Sequence, residues 1–156
     1  MLVDGVDARD WSFDALRWRI STTEQDTTLS SLGADKNIGF SVGQQAHCTA
    51  IVEAAREAQG HGFIVELLQG QETVIGKRGV TLSSGQRHRL TIARASLSSS
   101  RILILDDSTS GINRASEDKI ERTICRRFES RTTLLSTHRP LQIRLADWVL
   151  PIARHA

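Results

Sequence analysis

The chain has 156 residues, 39% of them apolar and 24% charged, with a formal net charge of +2. That is one domain's worth of globular polypeptide, able to bury about 68 to 70% of the surface its unfolded form exposes, and it lies far from the compositions of disordered chains. Lys and Arg interleave with Asp and Glu, so no nucleic-acid partner is expected; no apolar run approaches the roughly 18 residues of a membrane helix, and "MLVDGVDARDW" lacks the basic and apolar regions of a signal peptide, which points to a cytosolic chain.

"MLVDGVD" reads as a short strand and turn, and Ser12 is placed to cap a brief helix through "FDALRWR". "STTEQDTTLSSLG" is polar and without period, which predicts a loop. Between Ala46 and Gln59, Ile51, Ala54, Ala55 and Ala58 recur every three to four residues, predicting an amphipathic helix closed by Gly60 and Gly62. A shorter helix through "FIVELL" and a loop, "QGQETVIGKRGVT", follow. From Gly85 to Leu97, Leu90, Ala93 and Leu97 mark one face of a further helix and Arg87, Arg89 and Arg94 its polar positions.

"RILILDD" is a continuous apolar run, the pattern of a strand buried on both faces of a parallel sheet. Beyond the turn "STSGIN", Ile120, Ile124 and Phe128 repeat every four residues as a helix that leads to the strand "TTLLSTH"; "DWVLPI" reads as a last strand. Strand, helix, strand is a parallel α/β unit. Cys48 and Cys125 lie in helical stretches with no CxxC and no His at metal spacing, which predicts two reduced core thiols.

In open parallel sheets, ligands bind beyond the carboxyl ends of the strands. Here those ends carry Asp106 and Asp107 on one strand and His138 on the other. A hard carboxylate oxygen suits Mg²⁺ beside phosphates, although either Asp alone is also a turn cap. "SSGQ" heads a helix whose free N–H groups and positive dipole end favour an anion, and it also fits an ordinary helix cap. His138 fits a phosphate donor or a core histidine bonded to a carbonyl, and composition says nothing about Gln25. A phosphate-cradling GxxxxGK[ST] loop is missing from the sequence: in "GQETVIGKR", Gly70 and Gly76 are spaced too widely and Arg78 stands at the Ser/Thr position.

"LSSGQRHRLTIARASLSSSRILILDDSTSGIN" resembles the signature motif, Walker B strand and D-loop of an ATP-binding cassette (ABC) nucleotide-binding domain of exporter type. "STTEQDTTLSSLGADKNIGF" is similar to the stretch around that family's Q-loop, "TVIGKRG" to the exporter loop before the signature, and "TTLLSTHR" to the H-loop strand. The resemblance implies an α/β fold: a partial P-loop NTPase-like parallel sheet with an inserted helical subdomain. It divides the chain into a partial core with the Q-loop (1–34), a helical subdomain ending in the signature helix (35–98), and an α/β core with Walker B, D-loop and H-loop (99–156).

By position, the resemblance gives Asp106 to Mg²⁺, Asp107 to the general base, Gln25 to Mg²⁺ and the attacking water, and His138 to the γ-phosphate. Ser83, Ser84, Gly85 and Gln86 would close over ATP held by a second domain, and Asn113 would lie in the D-loop. The implied cofactors are ATP and Mg²⁺. The implied partners are a second nucleotide-binding domain in a head-to-tail dimer and the transmembrane domains of an exporter, with the chain cytoplasmic and peripheral at the inner face of the cell membrane. The implied function is ATP binding and hydrolysis coupled to transport, in a chain truncated at its N-terminus and inactive alone because Walker A is missing; the alternative is a non-catalytic partner that pairs with an intact domain.

Departures from the family pattern point to a degenerate site. Asp107 stands where Glu is usual, shortening the carboxylate's reach by about 1.5 Å when base catalysis needs contact at roughly 2.6 to 3.2 Å or through a water. Ser84 replaces the first signature glycine, Asn113 removes a D-loop carboxylate, Gly111 loosens that turn, Glu24 replaces a proline, and Lys77 stands where Glu is common.

Overall fold

The computed structural model describes residues 1–43, 46–76, 80–107, 114–129, 131–144 and 146–152. Strands β1 (Leu2–Val3) and β2 (Val6–Asp7) form an antiparallel hairpin across Asp4 and Gly5. Both turn residues have positive φ, 50° and 80°, the Asp-Gly geometry whose twist suits a two-residue hairpin. Asp4 holds this hairpin to the sheet: its Oδ2 accepts from Arg19 Nη1 at 2.6 Å and lies 3.7 Å from Arg101 Nε. Helix α1 (Phe13–Trp18) starts as predicted, with Ser12 Oγ accepting from Ala15 N–H.

Strand β3 (Ile20–Thr23) overturns the loop expected from Ser21. The segment is polar, yet Thr suits a pleated strand, Thr23 is buried, and the Ser21 and Ser98 hydroxyls bond each other at 2.6 Å. Helix α2 (Ala34–Ile38) is an addition, too short to show a period. Helix α3 (Cys48–Glu57) falls where the apolar spacing put it, whereas α4 (His61–Val65) starts and ends earlier than the helix expected through "FIVELL" and takes in Gly62, which was expected to close α3. Cys48 is exposed, which corrects its assignment to the core, because it opens α3 instead of lying on the buried face of Ile51, Ala54 and Ala55.

The loop resembling a phosphate cradle is a different structure. Gly70–Glu72 make a 3₁₀ turn, Val74 and Ile75 form isolated bridges with Gly33 and Val80, and Lys77 and Arg78 lie outside the described residues. Gly76, at φ 93°, lies so close to the carbonyls of Leu29 and Ser30 that a Cβ would meet both at 3.4 Å.

Helix α5 (Ser84–Leu97) leads to β4 (Ile102–Asp106), α6 (Arg114–Phe128) and β5 (Thr132–Ser136). The sheet is parallel in the order β3-β4-β5, with Thr23 opposite Leu105 and Asp106 opposite Ser136. Burial of β4 is one-sided: Leu103 and Leu105 are buried while Ile102 and Ile104 are half-buried. After α7 (Pro140–Ile143), residues 147–152 pair with no strand among the described residues, contrary to expectation. Trp148, Leu150 and Ile152 are instead exposed; an apolar run becomes a strand only where a neighbour takes its backbone bonds.

Two clusters of buried apolar side chains meet on α5. Leu90, Ile92 and Ala93 join Ile38, Ile51, Ile64 and Ile75, whereas Ala95 packs with Leu103 and Leu105 of the sheet. No described helix is long and apolar enough to cross a membrane.

Leu103→Ala is expected to lower the free energy of unfolding by about 2–5 kcal/mol, because Leu103 is fully buried. Leu134→Ala, at a side chain 56% exposed, should cost less than about 0.5 kcal/mol; urea titrations of the two variants measure the contrast.

Candidate functional site

The parallel register brings two predicted residues together. Thr23 lies opposite Leu105, and Gln25 and Asp107 each follow that pair by two residues. Asp107 continues the ladder by donating its N–H to Ser136 O at 3.0 Å, and His138 lies two residues past Ser136.

Asp107 and His138 meet there, with Oδ1 and Nδ1 3.5 Å apart. The Asp107 side chain is only 13% exposed and its Oδ1 has no hydrogen-bond partner among the described residues. Its backbone is also strained, with φ at 41°, a region Asp tolerates better than most residues. His138 is 77% exposed. Its turn is fixed by Thr137, whose Oγ1 accepts from Arg139 N–H at 3.1 Å and donates to Gln142 Oε1 at 2.6 Å.

Asp106 is exposed at the end of β4. The described residues contain no group of three or more His, Cys, Asp or Glu able to hold a metal by themselves. An open carboxylate fits Mg²⁺, which takes one or two protein oxygens and fills its remaining positions with water and phosphate.

The head of α5 is a capping box. Ser83 Oγ accepts from Gln86 N–H at 3.2 Å, and Gln86 Oε1 accepts from Ser83 N–H at 2.9 Å. The Ser83 and Gln86 side chains are therefore committed to each other. The N–H groups of Ser84 and Gly85 have no hydrogen-bond partner among the described residues, and the positive end of a 14-residue helix lies behind them. Ser84 is exposed and Gly85 buried, so an anion would approach along the Ser84 side. Asn113 lies outside the described residues.

Asn37 and His88, to which the sequence assigns no role, hold the site's framework together with Arg94, which the sequence gives only as a polar helix position. Asn37, fully buried, accepts Ser30 N–H through Oδ1 and donates through Nδ2 to the carbonyls of Ser30, Leu32 and Gly33. Arg94 donates to Asn37 O at 2.8 Å and to its Oδ1 at 3.2 Å, and burial lowers its pKa from the ordinary arginine value. His88, 4% exposed, touches the Gln25 carbonyl at 3.1 Å. Between the loop after β3 and the head of α5 lies an open groove of about 720 Å³, lined by Gln25, Thr28, Ser84, Arg87 and His88 among others.

The sequence profile of the ABC transporter family matches residues 1–110. This chain belongs to the ABC transporter family. It is similar to the ATP-dependent lipid A-core flippase of Syntrophus aciditrophicus, 40% identical over 154 residues that make up 99% of this chain and 26% of the flippase. The flippase of the same description from Aromatoleum aromaticum is 43% identical over 152 residues, 96% of this chain and 25% of that protein. The structure of a bacterial Atm1-family ABC exporter with ATP bound superposes with a TM-score of 0.82 at 31% identity, covering 91% of this chain and 25% of the exporter chain. The part matched is an exporter-type ABC nucleotide-binding domain with a P-loop NTPase-like fold. The chain spans about a quarter of the length of these relatives.

Ser83→Ala should destabilise this ABC domain by about 0.5–2 kcal/mol through loss of the cap, whereas Ser84→Ala should stay within about 0.5 kcal/mol; urea unfolding midpoints compare the two.

Proposed function

We propose that the chain is an ATP-binding unit of an ABC exporter whose two devices serve different nucleotides. The observation that carries this reading is the Asp107–His138 pair, 3.5 Å apart at the carboxyl edge of the parallel sheet. Family membership supplies the substrate, ATP, and the larger process, transmembrane transport.

Asp106 and Gln25 would hold Mg²⁺, which when bound neutralises charge on phosphate oxygens. The Asp107 carboxylate would accept a proton from an attacking water, and His138, largely exposed beside it, would donate to the terminal phosphate. Gln25 orients that water. The N–H groups of Ser84 and Gly85 would contact ATP held by a second nucleotide-binding domain in a head-to-tail pair. Residues 35–98 act as the helical unit that carries this contact. The assembly sits at the cytoplasmic face of the membrane, joined to the exporter's transmembrane domains.

These 156 residues contain no GxxxxGK[ST] loop, so the isolated chain has no cradle for the inner phosphates of its own nucleotide. The intact capping box favours a second reading as well: pairing without catalysis, with the chain completing another domain's site.

Alone, the chain is expected to turn over ATP more slowly than about 1 s⁻¹. Mixed with an intact exporter nucleotide-binding domain, it should associate only when ATP is present, and Ser84→Arg should weaken that association at least about tenfold, read by sedimentation velocity. Association that ignores ATP or survives Ser84→Arg unchanged overturns the pairing; fast turnover by the isolated chain, abolished in His138→Ala, overturns its inactivity.

A further inference from the structure

We propose that His88 is a positioning residue: it latches the loop after β3 to helix α5 and so fixes where Gln25 stands at the sheet edge. The inference rests on the reading of Gln25 given above and adds a residue to it.

The far end of this loop is tied down repeatedly. Asn37 bonds Ser30, Leu32 and Gly33, and Ile75 N–H donates to Leu32 O at 3.0 Å. The near end is different. Between Glu24 and Leu29 the contact from His88 Nε2 to Gln25 O, at 3.1 Å, is the one hydrogen bond among the described residues.

Its chemistry has one direction. A carbonyl oxygen only accepts, so Nε2 carries the proton and donates. His88 Nδ1 is buried with no hydrogen-bond partner among the described residues, and a proton there would bury a second donor without an acceptor. A ring buried for general packing would not need this orientation. Here its single bond goes to the backbone of the residue assigned to the attacking water.

The latch also joins the two devices of the site. His88 lies one helical turn beyond Ser84, whose N–H group has no hydrogen-bond partner among the described residues. A shift of the α5 head is thereby passed to Gln25 through one bond.

The test uses the whole chain, with backbone ¹⁵N order parameters of residues 24–29 and the Gln25 side-chain amide resonances as readouts. His88→Leu should lower the order parameters of that segment from about 0.85 toward about 0.6 and move the Gln25 side-chain resonances, while the order parameters of β4 stay unchanged. His88→Gln, which keeps an N–H donor, should restore both; Gln25→Ala should leave loop order unchanged because the acceptor is a backbone carbonyl. In the unsubstituted chain, ¹⁵N shifts of the imidazole should report the Nε2–H tautomer, a measurement that needs no variant to fold. Unchanged loop order in folded His88→Leu, no rescue by His88→Gln, or an Nδ1–H tautomer overturns the latch. None of these readouts requires nucleotide, so failure of the chain to pair or to bind ATP counts against the proposed function alone.

Discussion

The register of the parallel ladder is the constraint on which the site depends. Leu103 and Leu105 must face the core, and that requirement fixes which residues of β3 and β5 stand opposite β4. Because side chains alternate along a strand, a slip of one residue would turn both leucines outward and carry Asp107 away from His138. Apolar burial at the middle of the sheet therefore determines polar geometry at its edge.

Helix α5 links this edge to the rest of the molecule. Fourteen residues span about 21 Å. Its middle packs into the larger cluster, Ala95 packs on the sheet, and its first turn presents free N–H groups. Arg94 adds a polar tie to Asn37, and Asn37 in turn fixes the far end of the loop that begins with Gln25. The helix is thus packed on two sides and tied to the loop at two points. A side chain lost from this interior is felt at the site through backbone position, not only through stability.

How much of this was legible in the sequence depended on the strength of periodic and capping signals. The helix containing Ile51, Ala54 and Ala55 and the strand through Leu103 and Leu105 carry enough apolar pattern to be placed by eye. Ser12 and Ser83 were readable as helix starts for the same local reason. Strand β3 was not readable, because its side chains are mostly hydroxylic and its pairing is set by β4, eighty residues on. Residues 147–152 erred the other way: the apolar pattern of a strand is present, and a pairing neighbour among the described residues is not. Asp106, Asp107 and His138 are legible as the polar ends of two apolar strands, whereas Gln25 and all four roles come from resemblance; the structure brings Asp107 and His138 together. The roles of Asn37, His88 and Arg94 depend on which carbonyls approach them, a tertiary fact that no spacing encodes.

The shorter carboxylate at position 107 has a physical rationale in the backbone beneath it. At φ 41° a side chain with a long aliphatic stem is disfavoured, whereas Asp enters the left-handed region at a smaller cost because its short polar group can bond locally. A Glu at this position would gain reach and meet a backbone less suited to it. The arrangement seen here resolves that conflict toward conformation: the carboxylate is held back, mostly buried, with its Oδ1 lacking a hydrogen-bond partner among the described residues and His138 Nδ1 3.5 Å away. Under the proposed assignment, a carboxylate withdrawn in this way would reach a proton through a water held by its neighbours, so the anchoring of the Gln25 loop would matter more than with a longer carboxylate.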